Sequence, residues 1–506
     1  MRLNENGLRE DLIEIFGAAL RSVDPYRIVK ERLTADQKTL AVKCETGPKT
    51  FALERVDRVL VAGAGKASMK MAKALEELLG DRIARGCVSV KDGREGPLRR
   101  PLRRIRAIQA GHPVPDENSV KAADEIMRMA QALSKEDLAR TLLIVLLSGG
   151  GSSLLVSPLQ WRENAPDSEG VAKTDGARTR TGSRSLSLSD IQRTTDALLA
   201  SGAPIQAMNC VRKHLSNITG GRLARLFHPA TILVLVLSDV VGDRLDTIAS
   251  GPASPDDTTY EEALAIVRRF GIEDKIPPPV LAVLEAGAKG RVEETPKRGD
   301  PIFDNVHTVM LGSNRIAVEA AARKAACLGY NTFFLSSRIA GEAREAAKVL
   351  YAIALEVRES EDIALHGGSD GGANTAPLGR TSLCPVDRPA CILAGGETTV
   401  TLRGKGKGGR NQELALSFLC EMERSEDRGK GISMLSASTD GTDGPTDAAG
   451  AFASPEVLER SVRLALEPGD FLSNNDSYTF FSKTGYLYKT GPTGTNVCDL
   501  QIILVP

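Results

Sequence analysis

The chain has 506 residues, more than one hydrophobic core usually organises, so two domains are expected. Hydrophobic residues make up 42% and charged residues 26%, the make-up of a globular protein. Lys plus Arg equals Asp plus Glu at 65 each, which removes any global electrostatic case for nucleic acid or an anionic membrane as partner.

Eight scattered cysteines without a C-x-x-C pair suggest neither a zinc ribbon nor a disulfide framework. Five histidines, none at H-x-x-x-H spacing, leave carboxylates as the plentiful metal ligands, which favours Mg²⁺ over zinc. The opening stretch MRLNENGLREDLIEIFGAALRSVD is amphipathic and acidic, unlike a secretory signal or a transit peptide, so a cytoplasmic location is expected. The longest apolar runs, TLLIVLL and TILVLVL, are too short to span a bilayer and suit buried parallel strands.

In chain order, VDRVLVAG, KASMKMAKALEELLG, GCVSV, NSVKAADEIMRMAQALS and TLLIVLLSGG alternate strand and helix patterns. That order predicts an α/β fold with a mostly parallel sheet flanked by helices. The first strand runs into VAGAGKAS, where the Gly63 and Gly65 amides and a helix N-terminus would face an anion. The motif lacks the Walker A spacing, and Ser68 replaces the third glycine of the dinucleotide fingerprint. Lys66 inside it suits a phosphoryl group. Asp92, just after the next strand, stands near where a ribose-binding acid would, which keeps a nucleotide-dependent dehydrogenase in view.

LLIVLLSGGGSSLL follows the third strand, and its Gly149, Gly150 and Gly151 between Ser148 and Ser152 predict close backbone approach to a phosphate or substrate. The order is not G-x-S-x-G, which argues against a serine hydrolase. A Ser-, Gly- and Thr-rich insertion is expected at about 160–185. Beyond it, NCVRKHLS offers Arg212 and Lys213 as cations, and LSDVVGDRLD offers Asp239 as a carboxylate after a strand. Composition turns to Pro, Gly and charge at 276–303, so the domain boundary is placed there, giving 1–290 and 300–506.

The second domain restarts the alternation at NVHTVMLGSN and is expected to carry an insertion at about 362–388. In GGETTVTLRGKGKGGRNQELAL, Arg403, Lys405, Lys407 and Arg410 alternate with glycines that include Gly408 and Gly409. Asn411 is read as the cap of the following helix, and the whole segment as an anion site. In SASTDGTDGPTDAAG, Asp440 and Asp443 fall in a loop after a buried strand, and Asp447 is read as the cap of a next helix.

Taken together, GAGKAS, GHPVPD, LLSGGGSSLL, VRKHLS with GGRLA, LSDVVGD with IASGP, GGETTVTL with GKGGRNQELAL, STDGTDGPTDAAG, NNDSYTFF and TGTNVCDL resemble, in order, the class II glycerate kinases. The resemblance implies an N-terminal Rossmann-like domain, a C-terminal domain of the MOFRL type, and an active site in the interdomain cleft. It implies ATP-dependent phosphorylation of D-glycerate, of the 2-kinase type, with Mg²⁺. Carried onto matching positions, it places Lys66 and Arg410 at the reacting phosphate and substrate. Where family members often carry Lys before the GGRLA glycines, this chain has Thr219.

The expected site therefore has Lys66, Arg410 and Asp239 as catalytic residues. Phosphates would be held by Gly63, Gly65, the 148–152 loop, Lys405, Gly408 and Gly409. Substrate would meet Arg212, Lys213, Glu397, Asn411, Asp440 and Asp443, with Asp239, Asp440 and Asp443 as candidate metal ligands. The rival reading is an NAD(P)H-dependent hydroxypyruvate reductase, which would use the first glycine loop and leave the Arg410 segment without a task.

Overall fold

The computed structural model describes residues 5–44, 47–91, 102–162, 184–359 and 386–506. Asp92 and most of both expected insertions lie outside the described residues. The described chain forms two compact units, one of residues 25–311 and one joining 1–24 to 312–506.

Helix α1 (Glu5–Ser22) opens the chain but belongs to the second unit, a difference from the 1–290 reading with a clear cause. Its Leu8, Leu12, Ile15, Phe16 and Ala19 are buried on one face. Asp11 on that face accepts a hydrogen bond from the Tyr330 hydroxyl at 2.8 Å, and Glu14 pairs with Lys324. An amphipathic stripe seeks whatever apolar surface completes it, regardless of sequence distance.

The first unit is built on a six-stranded sheet. Its strands are β1 (Arg58–Ala64), β2 (Ile83–Lys91), β3 (Ile105–Ala110), β4 (Thr141–Ser148), β5 (Thr231–Leu237) and β6 (Val306–Gly312), in the spatial order β6-β5-β4-β1-β2-β3. Each pairing from β5 through β3 is parallel. The apolar runs read as buried strands are β4, buried throughout, and β5, buried after its first residue. The chain runs outward from β1 through β2 to β3, then returns to β1's other side at β4. The crevice outside the carboxyl ends of β1 and β4 is thus the switch point where open parallel sheets bind ligands.

Helix α2 (Ser68–Leu79) follows β1, and α3 (Glu117–Gln131) follows β3 with an Asp116–Ser119 capping box. A separate helical core gathers Trp161, Leu198, Met208, Val211, Tyr260, Val267 and Val283. The Pro-rich stretch read as a linker contributes to it. Pro278–Ala288 is a helix with Val280, Val283 and Leu284 buried, because proline is tolerated in a first helical turn. The strand read as opening the second domain, β6, is instead hydrogen-bonded to β5 at the edge of the first sheet.

The second unit carries a mixed sheet. It comprises β7 (Asn331–Glu342), β8 (Ala390–Thr399), β9 (Ser433–Ser438), β10 (Gly450–Ala453), β11 (Leu487–Tyr488) and β12 (Asp499–Val505), ordered β7-β8-β12-β9-β10-β11. Only β7 and β8 run parallel; the remaining pairings are antiparallel. Helix α4 (Arg410–Arg424) presses Leu414, Phe418, Leu419 and Met422 into this unit's core. Among the described residues, no helix is long and apolar enough to cross a membrane.

Candidate active site

In the first unit the loops after β1 and β4 are stitched together at the switch point. The Lys66 amide donates to the Gly149 carbonyl at 2.9 Å and the Ala67 amide to Ser148 Oγ at 2.9 Å. A side chain at Gly65, which has φ +137°, would place its Cβ 2.1 Å from Ser148 Oγ. The expectation that the Gly63 and Gly65 amides face an anion is corrected here. Gly63 lies inside β1, between Val88 and Leu146, and the Gly65 amide donates to the Ser89 carbonyl at 3.1 Å. These glycines allow close backbone approach, and their amides are taken up within the sheet and its loops.

The triglycine loop is packed by side chains at each of its three positions. A Cβ at Gly149 would fall 1.7 Å from Asp239 Oδ2, and one at Gly150, in the left-handed region at φ +80°, would fall 2.8 Å from His112. A Cβ at Gly151 would meet Ala249 at 2.6 Å. Only hydrogen fits at three successive positions, so Lys66, His112 and Asp239 all reach one loop. His112 belongs to the quoted GHPVPD segment but was not singled out from sequence. Burial first, then Lys66 and Lys91, lowers its pKa to about 4, so its ring is neutral at physiological pH. Gly149→Ala is expected to displace Asp239 and abolish turnover while most of the fold persists. ADP formation and a thermal melt on the same preparation check it, and unchanged turnover would refute the crowding argument.

Next to this loop, Ser152 Oγ and Ser250 Oγ are 2.8 Å apart, and Arg212 Nη2 donates to Asn209 Oδ1. Lys213, expected beside Arg212 as a substrate cation, faces the other way. It is 3% exposed and ion-paired with Asp256 at 3.3 Å and Asp246 at 3.6 Å, so its charge is neutralised internally. His214 is fully buried against Glu294 at 2.9 Å. Thr219 Oγ1 is buried without a hydrogen-bond partner among the described residues.

In the second unit the RGKGKGG segment has a regular inside and outside. A Cβ at Gly404, Gly406 or Gly408 would come within 2.3 Å of residues 474–477, whereas Arg403, Lys405 and Lys407 are exposed. The loop amides were expected to hold phosphate. Those of Arg403 and Gly404 go to Asn475 Oδ1, that of Lys405 to Asn474 Oδ1, that of Gly406 to the Asn474 carbonyl and that of Lys407 to Asp476 Oδ1. What this segment presents is a row of side-chain cations.

Arg410 makes a bidentate pair with Asp499, at 2.5 and 3.0 Å, and a third bond to Glu397 at 2.8 Å. Burial alone would lower its pKa, but Asp499 and Glu397 outweigh burial and hold the guanidinium firmly charged. Glu397, expected at substrate, is thus an ion-pair partner. Three of the five guanidinium N–H groups are engaged by these bonds.

The helix cap is also not where sequence put it. Gly409 is the N-cap of α4 and Asn411 lies within the helix, buried, accepting from Ser436 Oγ at 2.7 Å. The capping group is the Asp443 carboxylate, which accepts from the Asn411 and Gln412 amides at 3.1 and 2.9 Å and from Gln412 Nε2 at 3.0 Å. Gly409 is required there, since its Cβ would fall 2.3 Å from Asp443 Cγ. At 2% exposure and facing helix amides, Asp443 is not a metal ligand. Asp440 folds back on its own loop, accepting from the Thr442 amide and Ser438 Oγ. Asp447 caps no helix, because β10 follows; it accepts from Tyr478 and Lys489. Among the described residues, no three His, Cys, Asp or Glu side chains gather as a metal cluster.

Burial pushes the Asp443 carboxyl up to about 6, against the pull of its amide donors. A raised carboxyl pKa means that the folded state binds the extra proton, so this group's contribution to stability falls as pH rises from about 4 to 6. Two pKa units correspond to roughly 2–3 kcal/mol. Asp443→Asn, still able to cap α4, should flatten that part of the melting-temperature profile and leave the Mg²⁺ requirement unchanged. Parallel curves for the two proteins would show that Asp443 is ionised throughout.

Comparison with known proteins agrees with this architecture. Residues 11–165 and 177–285 match the model of a domain of unknown function, DUF4147, and residues 390–499 match the MOFRL family. A Thermotoga maritima protein named D-glycerate 2-kinase is 38% identical, covering 98% of both chains. This chain belongs to the class II glycerate kinase family. A crystal structure of a family member, glycerate kinase from Thermotoga maritima, superposes with TM-score 0.76 at 37% identity, covering 99% of this chain and 100% of that one. An Agrobacterium vitis relative, 38% identical over all of this chain and 96% of its own length, carries hydroxypyruvate reductase as a provisional name.

Proposed function

We infer that this member of the family is an ATP-dependent kinase that phosphorylates D-glycerate, on the 2-hydroxyl, in the cytoplasm. The observation that carries the assignment to a site is the triglycine loop, where Gly149 to Gly151 let the backbone lie directly against Asp239, His112 and Ala249 beside Lys66. ATP supplies the transferable phosphoryl group, and Mg²⁺ its counter-charge. Lys66 would stabilise charge as it develops on the transferring oxygens, and Asp239, at the end of β5, would orient the acceptor hydroxyl or the cation. Neutral His112 fits a hydrogen-bonding role better than that of a strong base, since a group with pKa near 4 holds a proton weakly at neutral pH.

The hydroxypyruvate reductase reading has a weaker basis. The β1 loop, which it needs as a dinucleotide fingerprint, has its Lys66 and Ala67 amides bonded to Gly149 and Ser148. D-Glycerate with ATP and Mg²⁺ should yield ADP, and hydroxypyruvate with NADH should leave NADH unconsumed. Steady NADH oxidation without glycerate-dependent ADP would reverse the assignment.

A further inference from the structure

The half-buried Arg212 stands beside a strained turn that touches the triglycine loop. Ala249, Ser250 and Gly251 have φ of 50°, 57° and 58°, three successive residues in the left-handed region, two of them not glycine. Such backbone is costly and persists only when its surroundings over-determine it. Here the Ser250 and Gly251 carbonyls accept from the Gly220 and Gly221 amides at 3.0 and 2.8 Å. The turn thereby holds Ser250 Oγ 2.8 Å from Ser152 Oγ and 3.4 Å from Asn209 Oδ1.

Asn209, 4% exposed, is the hub of this arrangement. Its Oδ1 receives both Arg212 Nη2 and Ser250 Oγ. Arg212 has no carboxylate partner among the described residues, and its buried Nε lacks any hydrogen bond. Desolvation lowers the Arg212 pKa to about 10, with no neighbouring charge opposing it. A half-buried cation with a buried, unbonded Nε and no carboxylate beside it is costly, whereas the adjacent Lys213 is paired twice. The chain has carboxylates within reach of this helix and places none of them on Arg212.

We propose that Asn209 is a positioning residue that fixes Arg212 through a neutral amide, leaving the guanidinium charge for an oxyanion of the substrates beside the triglycine loop. The oxyanion is either the carboxylate of the acceptor acid or a phosphate of the nucleotide, and the proposal rests on the glycerate kinase reading for those two candidates. An amide and a carboxylate have nearly the same shape, so Asn209→Asp tests the charge alone. It would give Arg212 an internal partner, with no loss of thermal stability, and compete with the substrate anion.

The experiment measures KM for D-glycerate and for ATP, kcat and melting temperature for the wild type and Asn209→Asp. A rise of at least tenfold in one KM, with melting temperature held or increased, supports the proposal, and the substrate affected identifies the oxyanion. Unchanged KM for both overturns it, as does an equal fall in kcat with both KM unchanged. If Asn209→Asp does not fold, Arg212→Gln removes the charge from the other side and must raise the KM of one substrate alone. A wild type that forms no glycerate-dependent ADP would instead defeat the functional reading, before either variant is considered.

Discussion

Lys66→Met is expected to lower kcat for glycerate-dependent ADP formation by about 10²–10³-fold, the range for losing one charge-stabilising donor in a preorganised site. Methionine retains the apolar stem whose Cγ lies 3.6 Å from a Cβ built at Gly150, so the loop should keep its shape. The backbone bond from residue 66 to the Gly149 carbonyl is also untouched. Melting temperature should therefore change little while turnover collapses. A second readout is independent of catalysis. Lys66 is one of the charges that depress His112, so removing it should raise the His112 pKa above its value near 4, visible in a proton NMR titration. Near-normal turnover with an unmoved His112 would take Lys66 out of the site.

Arg410→Ala is expected to cost stability as well as rate. Its partner Asp499 is 1% exposed, and deleting one member of a buried pair strands the other charge, at about 3–5 kcal/mol. From sequence, Arg410 reads as a residue whose loss would slow turnover far more than it would weaken the fold. Its bidentate geometry reverses that ordering. Adding Asp499→Asn to Arg410→Ala should recover part of the lost stability, because the stranded charge is then gone. Denaturant midpoints for the two variants decide it, and an unshifted midpoint for Arg410→Ala would mean that the ion pair contributes nothing.

The parts of the fold that were legible are those written in local pattern. Runs such as TLLIVLL and TILVLVL suited buried strands, and the glycines that follow the first of them marked backbone crowding at a strand end. Lys66 and the 148–152 loop were singled out this way, and they meet because the strands they follow, β1 and β4, are neighbours in the sheet. The charged residues of the second unit misled for the opposite reason. Arg410, Asp443 and Asn411 carry the composition of an anion site, but their partners Asp499 and Ser436 lie 89 and 25 residues away from Arg410 and Asn411. Nothing in spacing distinguishes a cation waiting for ligand from one already paired. Asn209 and Ser250 were invisible, since a left-handed Ala-Ser-Gly turn has no compositional signature when two of its members are not glycine.

Helix α1 also bears on how the chain is made. Its apolar stripe is translated before the surface that covers it, which is encoded after residue 311, so 287 intervening residues must leave the ribosome before the two can meet. At typical synthesis speeds of about 5–20 residues per second that interval is roughly 15–60 s. Throughout it Leu8, Leu12, Ile15 and Phe16 have no native cover, while residues 25–311 already contain everything their own sheet requires. The newborn chain therefore carries an uncovered apolar helix beside a unit free to fold early, which makes this segment the natural place for chaperone capture.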